Sequence, residues 1–250
     1  MPKQILVLLF LSNLFFSTAQ YDKDEIGLTS RYRPGMGWFF SGLSPYKAGK
    51  LRKYDRWIVD ITHCNWIQDK KVLPSPWNSI GINGSVMFDK ILSVKERKVY
   101  GLGWGLTFSH FSIQDPNRLI RDFNDKTTEF GEFQPGQEPD GYRFGANYLE
   151  IPVEFRFRTA GYKHFKLMVG GKIGYQLNAF TQRTERVDDK MIKSKRYDFP
   201  DANKLRYGVT MRMGIRNWAV YGAYYFSPLF TNRASVQLNP FTVGLSISLF

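Results

Sequence analysis

The chain has 250 residues, 16% aromatics and a net charge of +13, which is room for one domain but not for a long basic tail or a low-complexity array. A single cysteine, Cys64, excludes an internal disulfide framework, and the three histidines, His63, His110 and His164, lack metal-ligand spacing. The positive charge is not gathered on one helix, which disfavours nucleic acid; acidic lipid head groups, lipopolysaccharide phosphates or an acidic protein are better partners.

The first 19 residues read as a signal peptide. Lys3 gives a short basic start, Ile5 to Phe16 form an almost unbroken apolar run, and Ser17, Thr18 and Ala19 supply small residues for cleavage. No run of 18 apolar residues follows, so no helix is expected to span a bilayer. Residues 20–53 form a lead-in expected on the periplasmic side. Its apolar residues Trp38, Phe39 and Phe40 need burial: in the barrel mouth, in the inner leaflet interface or on another protein. Lys47, Lys50, Arg52 and Lys53 follow at once and suit anionic head groups.

From residue 54 to residue 250 the sequence alternates. Side chains on a strand point to opposite faces in turn, so each segment has an apolar and a polar side. In the first, Trp57, Val59 and Ile61 oppose Asp60, Thr62 and Cys64. The second sets Ile80, Ile82, Val86 and Phe88 against Ser79, Asn83, Ser85 and Asp89. The third sets Tyr100, Leu102, Trp104, Leu106 and Phe108 against Gly101, Gly103, Gly105, Thr107 and Ser109. In the fourth, Leu149, Ile151, Val153, Phe155 and Phe157 oppose Glu150, Glu154, Arg156 and Arg158. The fifth sets Leu167, Val169, Ile173, Tyr175 and Leu177 against Lys172, Gln176 and Asn178. The sixth sets Leu205, Tyr207, Val209, Met211, Met213 and Ile215 against Arg206, Thr210, Arg212 and Arg216. The seventh sets Trp218, Val220, Tyr224 and Phe226 against Ala219, Tyr221, Ala223 and Tyr225. The eighth sets Phe241, Val243, Leu245, Ile247 and Leu249 against Thr242, Gly244, Ser246 and Ser248.

The connections run alternately long and short. Short ones lie near residues 93–98, 159–163 and 216–217; long ones lie near 68–77, 114–146, 180–204 and 227–239. Such asymmetry, with an even strand number behind a secretion signal, predicts an all-β fold: an eight-stranded antiparallel transmembrane up-and-down β-barrel, with both termini periplasmic. Energy decides which face meets lipid. An Arg or Lys facing mid-bilayer costs roughly 2–4 kcal/mol, so turning the sixth segment inside out would multiply that cost. The aliphatic face therefore points outward. Tyr100, Trp104, Tyr148, Tyr207, Trp218 and Tyr224 are candidates for the interfacial girdles. Pro152 predicts a bulge or a missing ladder bond. Phe250 falls on the polar parity of the last strand, which a frayed end or a bulge near Gly244 would repair.

Eight strands leave an interior that side chains can fill. The inward set comprises Asp60, Asp89, Glu150, Glu154, Arg156, Arg158, Lys172, Arg206, Arg212 and Arg216, with Gly101, Gly103 and Gly105 making room. Counting along the strands puts Asp60, Glu154, Lys172 and Arg212 in one middle layer, and with Glu150 and Arg156 they are expected to form a paired network plugging the lumen. Pairing of buried charges is first a structural need, not a sign of activity. Gly101 to Gly105 lacks the spacing and the following helix of a phosphate loop. Ser109 and His110 are adjacent and face opposite ways, so a hydrolase site would need His110 with a loop acid such as Asp115. No catalytic, cofactor-binding or metal-ligating set is predicted.

The chain resembles a family of small outer-membrane β-barrel proteins of Bacteroidota that includes PorT-type barrels. The resemblance rests on Arg33-Pro-Gly-Met-Gly-Trp-Phe-Phe40, Lys53-Tyr-Asp-Arg-Trp-Ile-Val-Asp60, Tyr148-Leu-Glu-Ile-Pro-Val-Glu-Phe-Arg-Phe-Arg-Thr159 and Gly170-Gly-Lys-Ile-Gly-Tyr175. It implies a non-enzymatic accessory role in the outer membrane, linked in some members to type IX secretion, with other outer-membrane or periplasmic proteins as partners. A lipid- or peptide-modifying barrel enzyme and a narrow channel are the alternative readings.

Overall fold

A computed structural model describes residues 56–68, 71–95, 98–114, 118–122, 124–131, 133, 139–159, 165–187, 190–197 and 199–249. The segment expected to be a signal peptide, the expected lead-in with Trp38, Phe39, Phe40, Lys50, Arg52 and Lys53, and Asp115, His164 and Phe250 lie outside the described residues. Twelve strands follow in order: β1 (Trp57–Gln68), β2 (Lys71–Val72), β3 (Ile80–Lys95), β4 (Lys98–Gln114), β5 (Arg118–Asp122), β6 (Thr127–Gly131), β7 (Gly141–Thr159), β8 (Phe165–Val187), β9 (Lys190–Arg196), β10 (Leu205–Ile215), β11 (Trp218–Tyr225) and β12 (Asn239–Ser248).

Eight of them close a ring in the order β10-β11-β12-β1-β3-β4-β7-β8, and β8 pairs with β10 to seal it. All these pairings are antiparallel. Closure removes every free edge from the ring, which is what a sheet must do where no water can bond its backbone. Lipid-facing residues such as Ile61, Ile82, Ile151, Ile173, Val209, Val220 and Leu245 are each roughly half exposed, while Asp60, Glu150 and Glu154 between them are buried. Apolar residues thus face out and charges face in.

Several details depart from the sequence expectation. The strands run past the ends of the apolar alternation: β4 continues to Gln114, β7 starts at Gly141, and β8 continues to Val187. Beyond the hydrocarbon the outward face turns polar while the ladder continues. His110, Asn147 and Asn178 mark that change on adjacent strands, His110 pairing with Asn147 and Asn147 with Asn178. The long connections also hold structure of their own: a separate β5–β6 hairpin, the short β2 beside β1, and β9 extending β8.

Pro152 sits in an unbroken ladder with β8 opposite Lys172. On the β4 side the pairs between Trp104–Val153 and Thr107–Glu150 are missing, so the lost bonds face Gly105 and Leu106. The bulges lie elsewhere, at Asn147/Tyr148 and at Ile91/Ser93. None occurs at Gly244, which stays in register with Thr62 and Tyr221. Arg216 is not a lumen residue; it is exposed in the two-residue turn between β10 and β11, at φ 58°. Tyr148 is not a girdle residue either. It is buried and shares the inward parity of Glu150. Among the remaining aromatics, Tyr100 and Trp218 stand near the short-turn end and Tyr207 and Tyr224 near the long-loop end, whereas Trp104 lies mid-strand opposite Phe88 and Val153.

Candidate functional site

The lumen is crossed by a chain of ion pairs. Arg212 on β10 donates from Nε and Nη2 to the two oxygens of Asp60 on β1, at 3.1 and 2.8 Å, and from Nη1 to Glu154 on β7. One guanidinium therefore ties three strands together across the barrel. Glu154 also accepts from Nε and Nη2 of Arg156, at 3.3 and 3.2 Å, and Arg156 turns its remaining nitrogen to Asp89 on β3. Arg158 stands 3.9 Å from the other oxygen of Asp89. Arg156 lies flat over Gly103, where an added Cβ would come within 2.8 Å of its Cζ. The lack of a side chain at Gly103 thus leaves room for the Arg156 guanidinium.

A second cluster stands nearer the long loops. Glu150 accepts from Lys172 Nζ at 2.8 Å and from Arg206 Nε and Nη2 at 2.9 and 2.6 Å. Lys172 therefore belongs to the Glu150 tier, not to the Asp60–Glu154–Arg212 tier. Its long side chain carries the ammonium away from its own backbone row, which spacing along the strand could not show. Glu150 passes over Gly174, where a Cβ would lie 2.6 Å from its Cγ. The Arg206 guanidinium is held between Tyr148 and Tyr225, 3.5 and 4.1 Å from their ring centroids. Tyr221 joins the tiers: its hydroxyl accepts from Lys172 at 3.1 Å and its ring faces Arg212 at 4.7 Å. The tyrosines were missed as lumen residues, although the inward parity of the seventh segment marked two of them.

Above these charges the long loops fold into an apolar cap. Cys64 and Trp66 of β1, Phe111 and Ile113 of β4, and Phe144 and Ala146 of β7 pack with Leu119, Leu229, Phe230 and Leu238 from the loops. Trp66 contacts Phe144 and Phe130 at 5.9 and 6.2 Å, and Phe199 bridges Phe144 and Phe230 at 5.6 and 5.8 Å. Asp201 locks the cap, accepting from Thr128 Oγ1 at 2.7 Å and from Ser235 Oγ, while Thr231 binds its carbonyl at 2.8 Å through its backbone N–H. The carboxylate thereby ties two other long connections, those of Thr128 and Ser235, to its own.

His110 does not meet a described acid or hydroxyl. Its Nδ1 lies 2.7 Å from Asn147 Oδ1, and Asn147 passes the chain on to Asn178 at 2.7 Å. Ser109 points inward to Asn83. Among the described residues no group of three metal-binding side chains is gathered.

A closed eight-stranded ring with ionic contents and an aliphatic exterior is the geometry of a barrel that crosses lipid. The model of the outer membrane protein beta-barrel domain matches residues 78–231, more than half of the chain. The chain belongs to that family. It is therefore a protein of the outer membrane. No curated protein matches it. Among solved structures, the attachment invasion locus protein Ail of Yersinia pestis is similar, alone and in complex with the heparin analogue sucrose octasulfate. The two matches have 13% and 14% identity and TM-scores of 0.29 and 0.30, each covering 76% of this chain and 95% of Ail.

Proposed function

We propose that this outer-membrane barrel is non-catalytic and works through partners, as an accessory of protein export or envelope assembly of the type IX secretion kind. The observation that carries the reading is Arg212 held by both Asp60 and Glu154, because a lumen crossed by its own ion pairs leaves little space for cargo or substrate. The cap above it argues the same way. Work must then be done on the outer surface, the loops and the lead-in. The lead-in residues Trp38, Phe39, Phe40, Lys50, Arg52 and Lys53 are the proposed periplasmic contacts with membrane or partner. On the loop side, Lys190, Lys193, Lys195 and Arg196 of β9 are all exposed and suit lipopolysaccharide phosphates. The PorT-type resemblance of the strand motifs favours an export role over a lipid- or peptide-modifying enzyme.

Crosslinking in native membranes, followed by gentle detergent extraction, tests the proposal. A defined complex with outer-membrane or periplasmic proteins is expected, and substitution of Trp38, Phe39 and Phe40 by Ala should release it. A reproducibly solitary barrel would contradict the reading.

A further inference from the structure

We propose that the upper lumen binds one small monovalent anion of the halide class, in a cradle made by Lys172, Thr210 and Thr242. Local charge does not balance there. The ion pairs of Lys172 and Arg206 all go to one carboxylate, Glu150, so two buried cations share a single negative charge. An uncompensated charge in a closed, low-dielectric cylinder is costly, and facing tyrosine rings offset it only in part.

Hydrogen bonding marks where the compensation sits. The Lys172 ammonium carries three donors, of which two go to Glu150 and the Tyr221 hydroxyl. The hydroxyls of Thr210 and Thr242 are buried and have no hydrogen-bond partner. These threonines are not distant. Both pair directly with Ala223, Thr210 from β10 and Thr242 from β12. The Lys172 ammonium stands 5.8 and 4.8 Å from the ring centroids of Tyr221 and Tyr225, the inward residues on either side of Ala223. The ammonium thus lies between the two rings that flank Ala223, the residue that both threonines pair with. A halide accepts hydrogen bonds from an ammonium and two hydroxyls at once and cancels the excess charge. A water molecule would satisfy the hydroxyls and leave the charge.

The test uses the protein folded from denaturant into detergent in sodium bromide and crystallised from the same salt, with anomalous scattering recorded at the bromine edge. One strong peak should touch Lys172 Nζ and both threonine hydroxyls. The Thr210→Val, Thr242→Val double variant should lose the peak while keeping the heat-modifiable gel mobility of a folded barrel. If that variant does not fold, Ala223→Leu, which fills the cradle, should abolish the peak in its place. A wild-type cradle holding only water, or a peak that survives in either folded variant, would overturn the proposal.

Discussion

The two halves of the barrel interior are sealed by opposite means. Near the short turns the space is filled by ion pairs, with Asp60, Glu154 and Arg212 shared among three strands. Under the long loops it is filled by an apolar cluster around Trp66, Phe144, Phe199 and Phe230. The difference follows from what each half is built on. Strand-borne lumen residues face a fixed wall and can be matched in pairs across it. The cap joins residues at the strand ends, such as Trp66 and Phe144, to loop residues that must bring their own folding energy, and burial of apolar area supplies that without exact geometry. The ionic half should therefore be brittle to loss of one partner, and the apolar half should yield locally.

The largest effect is expected from Arg212→Met, which leaves Asp60 and Glu154 without their shared cation. Removing one member of a buried ion pair costs about 3–5 kcal/mol, and here the cost should appear in unfolding of the whole barrel. Urea titration in lipid bilayers, followed by tryptophan fluorescence, reads it directly. Ion leakage through the surviving folded fraction should not change, since neighbouring side chains still fill the lumen.

Phe230→Ala should cost a similar amount, about 3–5 kcal/mol, but confined to the cap. The expected signature is faster hydrogen exchange across the loops and at the top of β1 and β4, with the lower strands still protected. Cys64, buried in that cluster, serves as a second reporter: it should become open to a membrane-impermeant maleimide in the variant and stay closed in the parent. If the lower strands also lost protection, the two halves would not be independent.

Smaller effects separate the halves further. Gly103→Ala pushes the new methyl into Arg156 and should cost about 1–3 kcal/mol by overpacking, visible in the same urea titration. Asp201→Ala strands the hydroxyls of Thr128 and Ser235 inside the cap and should cost about 1–3 kcal/mol, read as loop exchange without a shift in barrel unfolding.

The same contrast explains what could be read from the sequence. The eight ring strands were legible because lipid outside and charge inside impose a strict period of two, as in Leu149 to Arg158. Several charged lumen residues were legible for the same reason, Asp60, Glu154 and Arg212 among them, whereas Arg216 proved exposed and the inward tyrosines went unread. Their grouping was less so: Lys172 reaches Glu150 because side-chain length and barrel tilt move an ammonium off its own row. Tyr148 is aromatic and so suits an interface by type, but its parity with Glu150 places it inside. The cap was not legible at all. Its residues come from β1, β4, β7 and distant loops, and β5, β6 and β9 are five to seven residues long with no sustained apolar face.

The most direct test of a sealed, ion-paired interior is single-channel recording of the purified full-length protein in planar bilayers. The account predicts no conductance steps above the bare membrane across the accessible voltage range. Discrete, ohmic openings that persist in the parent protein would contradict it, because they would require Arg212 and its partners to leave a continuous water path.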